Sequence, residues 1–179
     1  MNALVIGGTR FLGRHLTDAL LDGGHAVTLL TRGRTNPGLF AEVDHRIGDR
    51  DGGLDALGDD RWDVVFDTCG YVPRVVRASA ERLAGRVGRY VFVSTISVYV
   101  DPPADAYGAG DGPDESAPVG VLDDPATEVV DGATYGPLKA LCETVVRDTF
   151  AQRAMIVRPG VIVGPFDPSD RFTYWPVRM

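Results

Sequence analysis

The chain has 179 residues, 44% of them hydrophobic and 24% charged, with a mean hydropathy near zero. That length holds one well-buried domain rather than two of ordinary size, and the composition is that of a globular chain, which excludes disorder. A net charge of −7 and a pI near 4.8 speak against nucleic-acid backbones and anionic membranes as partners, so any phosphate site must be built from local groups.

In chain order, Leu4-Val5-Ile6 reads as a buried strand. The turn Gly7-Gly-Thr-Arg-Phe-Leu-Gly13 joins it to a helix whose stripe is Leu12, Leu16, Ala19 and Leu20. Gly23 is the expected left-handed stop of that helix. Ala26 to Leu30 is a second strand, His45 to Gly48 a short third and Val64 to Phe66 a fourth. A helix follows over Val75 to Leu83 with a glycine stop at Gly85, then a strand at Tyr90 to Val93. Residues 101–133, rich in Pro, Gly and acid, form a long loop, of the kind that is functional or mobile. A helix with Leu138, Leu141, Val145 and Val146 on one stripe and a strand at Met155 to Val157 complete the pattern. Runs that are apolar throughout suit strands buried on both faces, and their alternation with helices predicts an α/β fold. The expected architecture is a doubly wound parallel sheet of about six strands with helices on both faces, residues 1–179 forming one dinucleotide-binding domain.

The glycine turn is the first candidate site. Gly7 permits a tight exit from the strand, and Gly13 lets the helix pack closely on the sheet. Backbone N–H groups across Thr9, Arg10, Phe11 and Leu12 then face a pyrophosphate at the positive end of the helix. A glycine is expected where Arg10 stands. The second strand ends in Thr31-Arg32-Gly33-Arg34, where an acid would bind a ribose 2′-hydroxyl. Guanidinium groups match phosphate oxygens in bidentate fashion, so Arg32, with Arg10 or Arg34, predicts NADP(H) over NAD(H).

Tyr135 and Lys139 lie four residues apart, on one face of a helix, with Pro137 tolerated in its first turn. A phenol serves as a base near neutrality only when a neighbouring ammonium and an oxidised nicotinamide stabilise the phenolate. Tyr135 could then exchange a proton with a substrate hydroxyl. The pair follows the strand that runs into Ser94-Thr95-Ile96-Ser97-Val98-Tyr99.

Together these segments, with Asp49 after the third strand and Arg158-Pro159-Gly160 ahead of Gly164-Pro165, resemble the extended short-chain dehydrogenase/reductase family of nucleotide-sugar epimerases and dehydratases. The resemblance implies a Rossmann-type fold and NAD(P)-dependent chemistry on a nucleotide sugar or small carbonyl compound. It gives Thr95 the place of the catalytic hydroxyl, with Ser94 and Ser97 as neighbours that could be mistaken for it. Tyr135 takes the acid/base position, and Lys139 that of the residue which holds the nicotinamide ribose and tunes the phenol. Asp49 and Arg50 would flank the adenine, Cys69 and Gly70 would pass the cofactor ribose, and Pro159 would border the cofactor. The family's members continue beyond this length into a part that closes the substrate pocket, so the chain reads as cut short, with residues 166–179 as the start of that part. The second reading is an NADP(H)-binding module without turnover. A branch that includes chloroplast stem-loop RNA-binding proteins shares the glycine turn, but the acidic charge and the absence of a transit peptide weigh against it.

Cys69 and Cys142 lack metal or redox spacing and read as reduced thiols, and Cys69 has no neighbouring base to make it a nucleophile. His15, His25 and His45 are scattered and read as structural or solvated. Asp111, Asp114, Glu115, Asp123 and Asp124 lack the order of a calcium loop and read as solvated surface. With no signal peptide and no apolar run of membrane length, a cytoplasmic location is expected. The expected partner is a small-molecule substrate, and a homodimer would cover the aromatic segment Phe172-Thr-Tyr-Trp175.

Overall fold

The computed structural model describes residues 1–100, 119–169 and 171. Six strands, β1 (Asn2–Ile6), β2 (Ala26–Thr31), β3 (Asp44–Ile47), β4 (Trp62–Asp67), β5 (Val87–Val93) and β6 (Ala154–Val157), form one sheet in the order β3-β2-β1-β4-β5-β6. Every neighbouring pair is parallel. The helices are α1 (Phe11–Asp22), α2 (Pro73–Leu83) and α3 (Tyr135–Phe150). This is the doubly wound α/β fold expected from the sequence.

The apolar runs are explained by burial on both faces of each central strand. In β1, Leu4 and Ile6 pack with Val76, Leu83, Val145 and Phe150 of α2 and α3, whereas Ala3 and Val5 pack with Leu20 of α1 and with Phe40 and Val43. Such a strand cannot alternate polar and apolar residues, because neither face meets water. The direction of winding reverses between β1 and β4, so their carboxyl ends open a crevice at the switch point. The site is built there.

Several boundaries differ from the sequence reading. The strand expected at Tyr90 begins at Val87, because Trp62 and Val64 of β4 pair with Val87 and Arg89. Tertiary pairing thus overrides the weak strand preference of Gly88-Arg89. Helix α2 starts at Pro73, two residues early, with proline in its first turn. The left-handed residue after α1 is Gly24 (φ +72°), not Gly23 (φ −74°), whereas Gly85 is left-handed as expected (φ +73°). Between β3 and β4 the chain forms only a short 3-10 turn, Leu54–Leu57, which buries Leu57 in the α2/α3 core.

Of the long loop, residues 101–118 lie outside the described residues, and with them Asp111, Asp114 and Glu115. The remainder returns to the site through an antiparallel bridge between Tyr99 and Val119. Phe172 to Trp175 also lie outside the described residues. Among the described residues no helix is long and apolar enough to cross a membrane, and no group of three or more His, Cys, Asp or Glu side chains could hold a metal.

Candidate functional site

The glycine turn is fixed by close approach. A Cβ on Gly13 would lie 2.2 Å from the carbonyl oxygen of Gly7, and one on Gly7, whose φ is +93°, would lie 2.8 Å from Thr68 Oγ1. Both positions therefore demand glycine. Arg10 needs no such freedom: it precedes α1 in extended conformation (φ −132°, ψ 136°), which any residue adopts, and its side chain is exposed. This is why an arginine can stand at the centre of the turn.

A groove of about 550 Å³ runs along the carboxyl ends of β1, β2, β3 and β4. It brings together Gly7, Thr9, Arg10, Phe11, Leu12 and Gly13 with Arg32, Arg34, Asp49, Arg50 and Cys69. The loop after β2 is tied to the turn by Asn36 Nδ2, which donates to the Thr9 carbonyl at 2.9 Å. Arg10, Arg32 and Arg34 are exposed and form no ion pair among the described residues. Three uncommitted cations thus face a groove that begins at a helix amino terminus.

Arg50 is committed elsewhere. Its guanidinium grips Asp67 in bidentate fashion at 2.7 and 2.8 Å and also reaches Ser79 Oγ. Asp67 is fully buried and accepts further bonds from the Tyr90 hydroxyl and the Cys69 N–H. Burial pushes the Asp67 carboxyl up, but Arg50 outweighs it and holds the group below the usual carboxylate range. Arg50 therefore borders the groove while its charge is neutralised behind it. Burial also raises the Cys69 thiol, against the pull of Arg50, and pushes Cys142 up to about 12. Both thiols are free.

Lys139 is 2% exposed and donates from Nζ to the carbonyls of Gly70 (2.7 Å) and Val93 (2.6 Å). It thereby bridges the ends of β4 and β5. An ammonium has three donors, so one remains. Burial lowers its pKa, with Asp67 opposing. The hydroxyls after β5 separate by their partners. Ser94 Oγ is turned inward to Glu143 Oε1 at 2.5 Å, and Glu143 is paired in turn with Arg158. Thr95 Oγ1 accepts from the Ser97 N–H and lies 3.2 Å from Ser97 Oγ. The Pro159 carbonyl accepts the Ile96 N–H at 3.0 Å and so pins this segment. Thr95, Gly70, Lys139 and Pro159 do not border the 550 Å³ groove. Tyr135 and Ser97 line a second hollow of about 760 Å³ beside it.

Two residues absent from the sequence reading connect these parts. Tyr71 borders the groove, its ring centroid is 6.3 Å from that of Tyr135, and Lys139 Nζ stands 5.3 Å over it. No spacing rule relates residue 71 to 135, so only the fold reveals the pair. Gly136 lets α3 press on the segment after β5: a Cβ there would lie 1.9 Å from the Ser97 carbonyl oxygen. Gly136→Ala is expected to cost about 1–3 kcal/mol through overpacking and to shift Tyr135 away from Ser97. Urea denaturation measures the first effect, and an undiminished midpoint would contradict the close packing.

Residues 3–83 match the model of the NAD dependent epimerase/dehydratase family. The chloroplast stem-loop binding protein of 41 kDa b of Arabidopsis thaliana is 34% identical in an alignment of 113 positions, which takes in 54% of this chain and 30% of that protein. Among solved structures, MoeE5 in complex with UDP-glucose and NAD superposes with a TM-score of 0.67 at 22% identity, over 99% of this chain and 60% of that one. The dTDP-glucose 4,6-dehydratase of Bacillus anthracis, in complex with NAD, gives 0.67 at 15% identity with the same coverages. At these identities the structural likeness establishes the fold. The chain spans 60% of each of these structures and 30% of the curated relative.

Proposed function

We propose that this chain is the cofactor-binding part of an NADP(H)-dependent oxidoreductase or epimerase that acts on a nucleotide sugar or small carbonyl compound, with Tyr135 as acid/base. The observation that carries the cofactor reading is the groove itself, with uncommitted Arg10, Arg32 and Arg34 and no carboxylate at the end of β2. The turn held by Gly7 and Gly13 fits a pyrophosphate, since it opens α1 at the groove and both glycines are required by close approach. A nicotinamide dinucleotide bound there would supply a hydride acceptor or donor. The remaining work falls to the chain's own groups. Arg32 and Arg34 would hold a 2′-phosphate, and Asp49 would border the adenine. Lys139 would use its third donor on the cofactor ribose and place positive charge behind the phenol. Tyr135, at the rim of the second hollow, would move the proton of a substrate hydroxyl, with the Thr95 and Ser97 hydroxyls orienting that oxygen.

Fluorescence titration with NADPH and NADH tests the cofactor reading. Tighter binding of NADPH is expected, and Arg32→Ala/Arg34→Ala should weaken it about 10- to 100-fold while leaving NADH nearly unaffected, as expected for lost charge-assisted hydrogen bonds. Equal affinity for the two dinucleotides would refute the assignment of the arginines. The printed name of the Arabidopsis relative supports a second reading, binding of a stem-loop RNA. The net charge of −7 opposes it. Saturable, strongly salt-dependent binding of a stem-loop RNA, with no binding of either dinucleotide, would favour that reading over ours.

A further inference from the structure

The groove has an order along the sheet edge. Arg32 and Arg34 follow β2, Asp49 and Arg50 follow β3, and the glycine turn follows β1. A dinucleotide is linear, with adenosine and a nicotinamide riboside joined through the pyrophosphate. With its adenosine end over β2 and β3 and its pyrophosphate at the turn, its nicotinamide half is directed to the strand end that remains, that of β4. Thr68, Cys69 and Tyr71 border the groove there. The Thr68 hydroxyl donates to the Ile6 carbonyl at 2.9 Å, and the Cys69 thiol turns to the same oxygen at 3.6 Å. Tyr71 is 45% exposed and open to a ligand.

The backbone holds Tyr71 from both sides. Gly70 packs so closely that a Cβ there would lie 2.6 Å from the Phe92 ring, and its carbonyl accepts Lys139 Nζ at 2.7 Å. Pro73 opens α2 two residues after Tyr71. The Tyr71 ring meets that of Tyr135 with 6.3 Å between centroids and a tilt of 38°, and Lys139 Nζ stands 5.3 Å from its centroid. Phe11, the other aromatic residue at the groove, opens α1 and packs edge-on against His15. Tyr71 thus brings a flat, preorganised apolar surface from the groove to the Tyr135/Lys139 pair, and such a surface suits a flat heteroaromatic ring. We infer that the Tyr71 ring packs against the nicotinamide ring of the bound dinucleotide and so positions it beside Tyr135 and Lys139. This inference rests on the dinucleotide reading above.

The test is calorimetric titration of the full chain and its Tyr71→Ala and Tyr71→Phe variants with two ligands, with melting midpoints as a check on folding. One ligand is NADPH, and the other is 2′-phosphoadenosine 5′-diphosphoribose, which lacks only the nicotinamide ring. Tyr71→Ala is expected to weaken NADPH about 5- to 30-fold, the effect of losing an aromatic stacking partner, and to leave the truncated ligand nearly unaffected. Tyr71→Phe, which keeps the ring, should restore most of the NADPH affinity. Undiminished NADPH binding by Tyr71→Ala overturns the inference and leaves the cofactor reading intact. An equal loss for both ligands also overturns it, because the groove as a whole rather than a ring contact would then be disturbed. A loss in Tyr71→Phe as large as in Tyr71→Ala overturns it as well, since the hydroxyl and not the ring would be responsible. An unaltered protein that binds neither NADPH nor NADH refutes both.

Discussion

Asp67→Ala is expected to remove about 3–5 kcal/mol of folding stability, read from the urea midpoint, because it strands a buried guanidinium. The Arg50 side chain is 10% exposed and, among the described residues, is ion-paired with Asp67 alone. The same truncation leaves the Tyr90 hydroxyl and the Cys69 N–H without their acceptor. A loss of that size is a large part of the stability of an ordinary domain. Removing both charges together, as in Asp67→Leu/Arg50→Met, should recover much of it, since a well-packed apolar pair avoids the cost of desolvating two ions. A double variant no better than Asp67→Ala would mean that the ion pair itself, rather than the stranded charge, sets the cost. The sign with pH follows from the carboxyl lying below its usual value in the folded state. Its contribution is complete above the unfolded value of about 3.9 and is lost as pH falls through the lower folded value. Acid unfolding of Asp67→Ala should therefore be shallower than that of the unaltered chain.

The parts of this molecule legible in the sequence are those governed by local rules. The runs at Leu4-Val5-Ile6 and Val64-Val65-Phe66 are apolar because both sheet faces are covered, and the crevice lies where the strand order reverses. Gly7 and Gly13 announce themselves because a tight turn and close helix packing each require glycine. What escaped the sequence are pairings between distant residues. Arg50 stands beside Asp49 as a candidate for the adenine, and Asp67 lies just past the strand read at Val64 to Phe66, with no signal of its own. Their union is set by β3 and β4 ending on the same edge of the sheet, on opposite sides of β2 and β1. Similarly, Ser94 could not be separated from Thr95 by spacing. Glu143, 49 residues on, draws its hydroxyl away and leaves Thr95 and Ser97 beside each other. Gly136 was visible only as a spacer between Tyr135 and Lys139, although it brings α3 against the Ser97 carbonyl.

That placement gives Tyr135→Phe a specific expected signature. The phenol borders the second hollow and not the groove, so NADPH affinity should stay close to that of the unaltered chain. Turnover, assayed by cofactor absorbance against a panel of nucleotide sugars and small carbonyl compounds, should fall about 10²- to 10⁴-fold, the usual contribution of a positioned acid/base. The ring keeps its contact with Tyr71, and Lys139 keeps its two carbonyls, because neither depends on the hydroxyl. The loss would then belong to kcat, since in the proposed role the missing group would act on the proton rather than hold the dinucleotide. Equal turnover in the two proteins would remove Tyr135 from the chemistry. Tight NADPH binding with no turnover in either would identify the chain as a binding module. In that case Gly136 and the bridge made by Lys139 would serve only to hold α3 against the ends of β4 and β5.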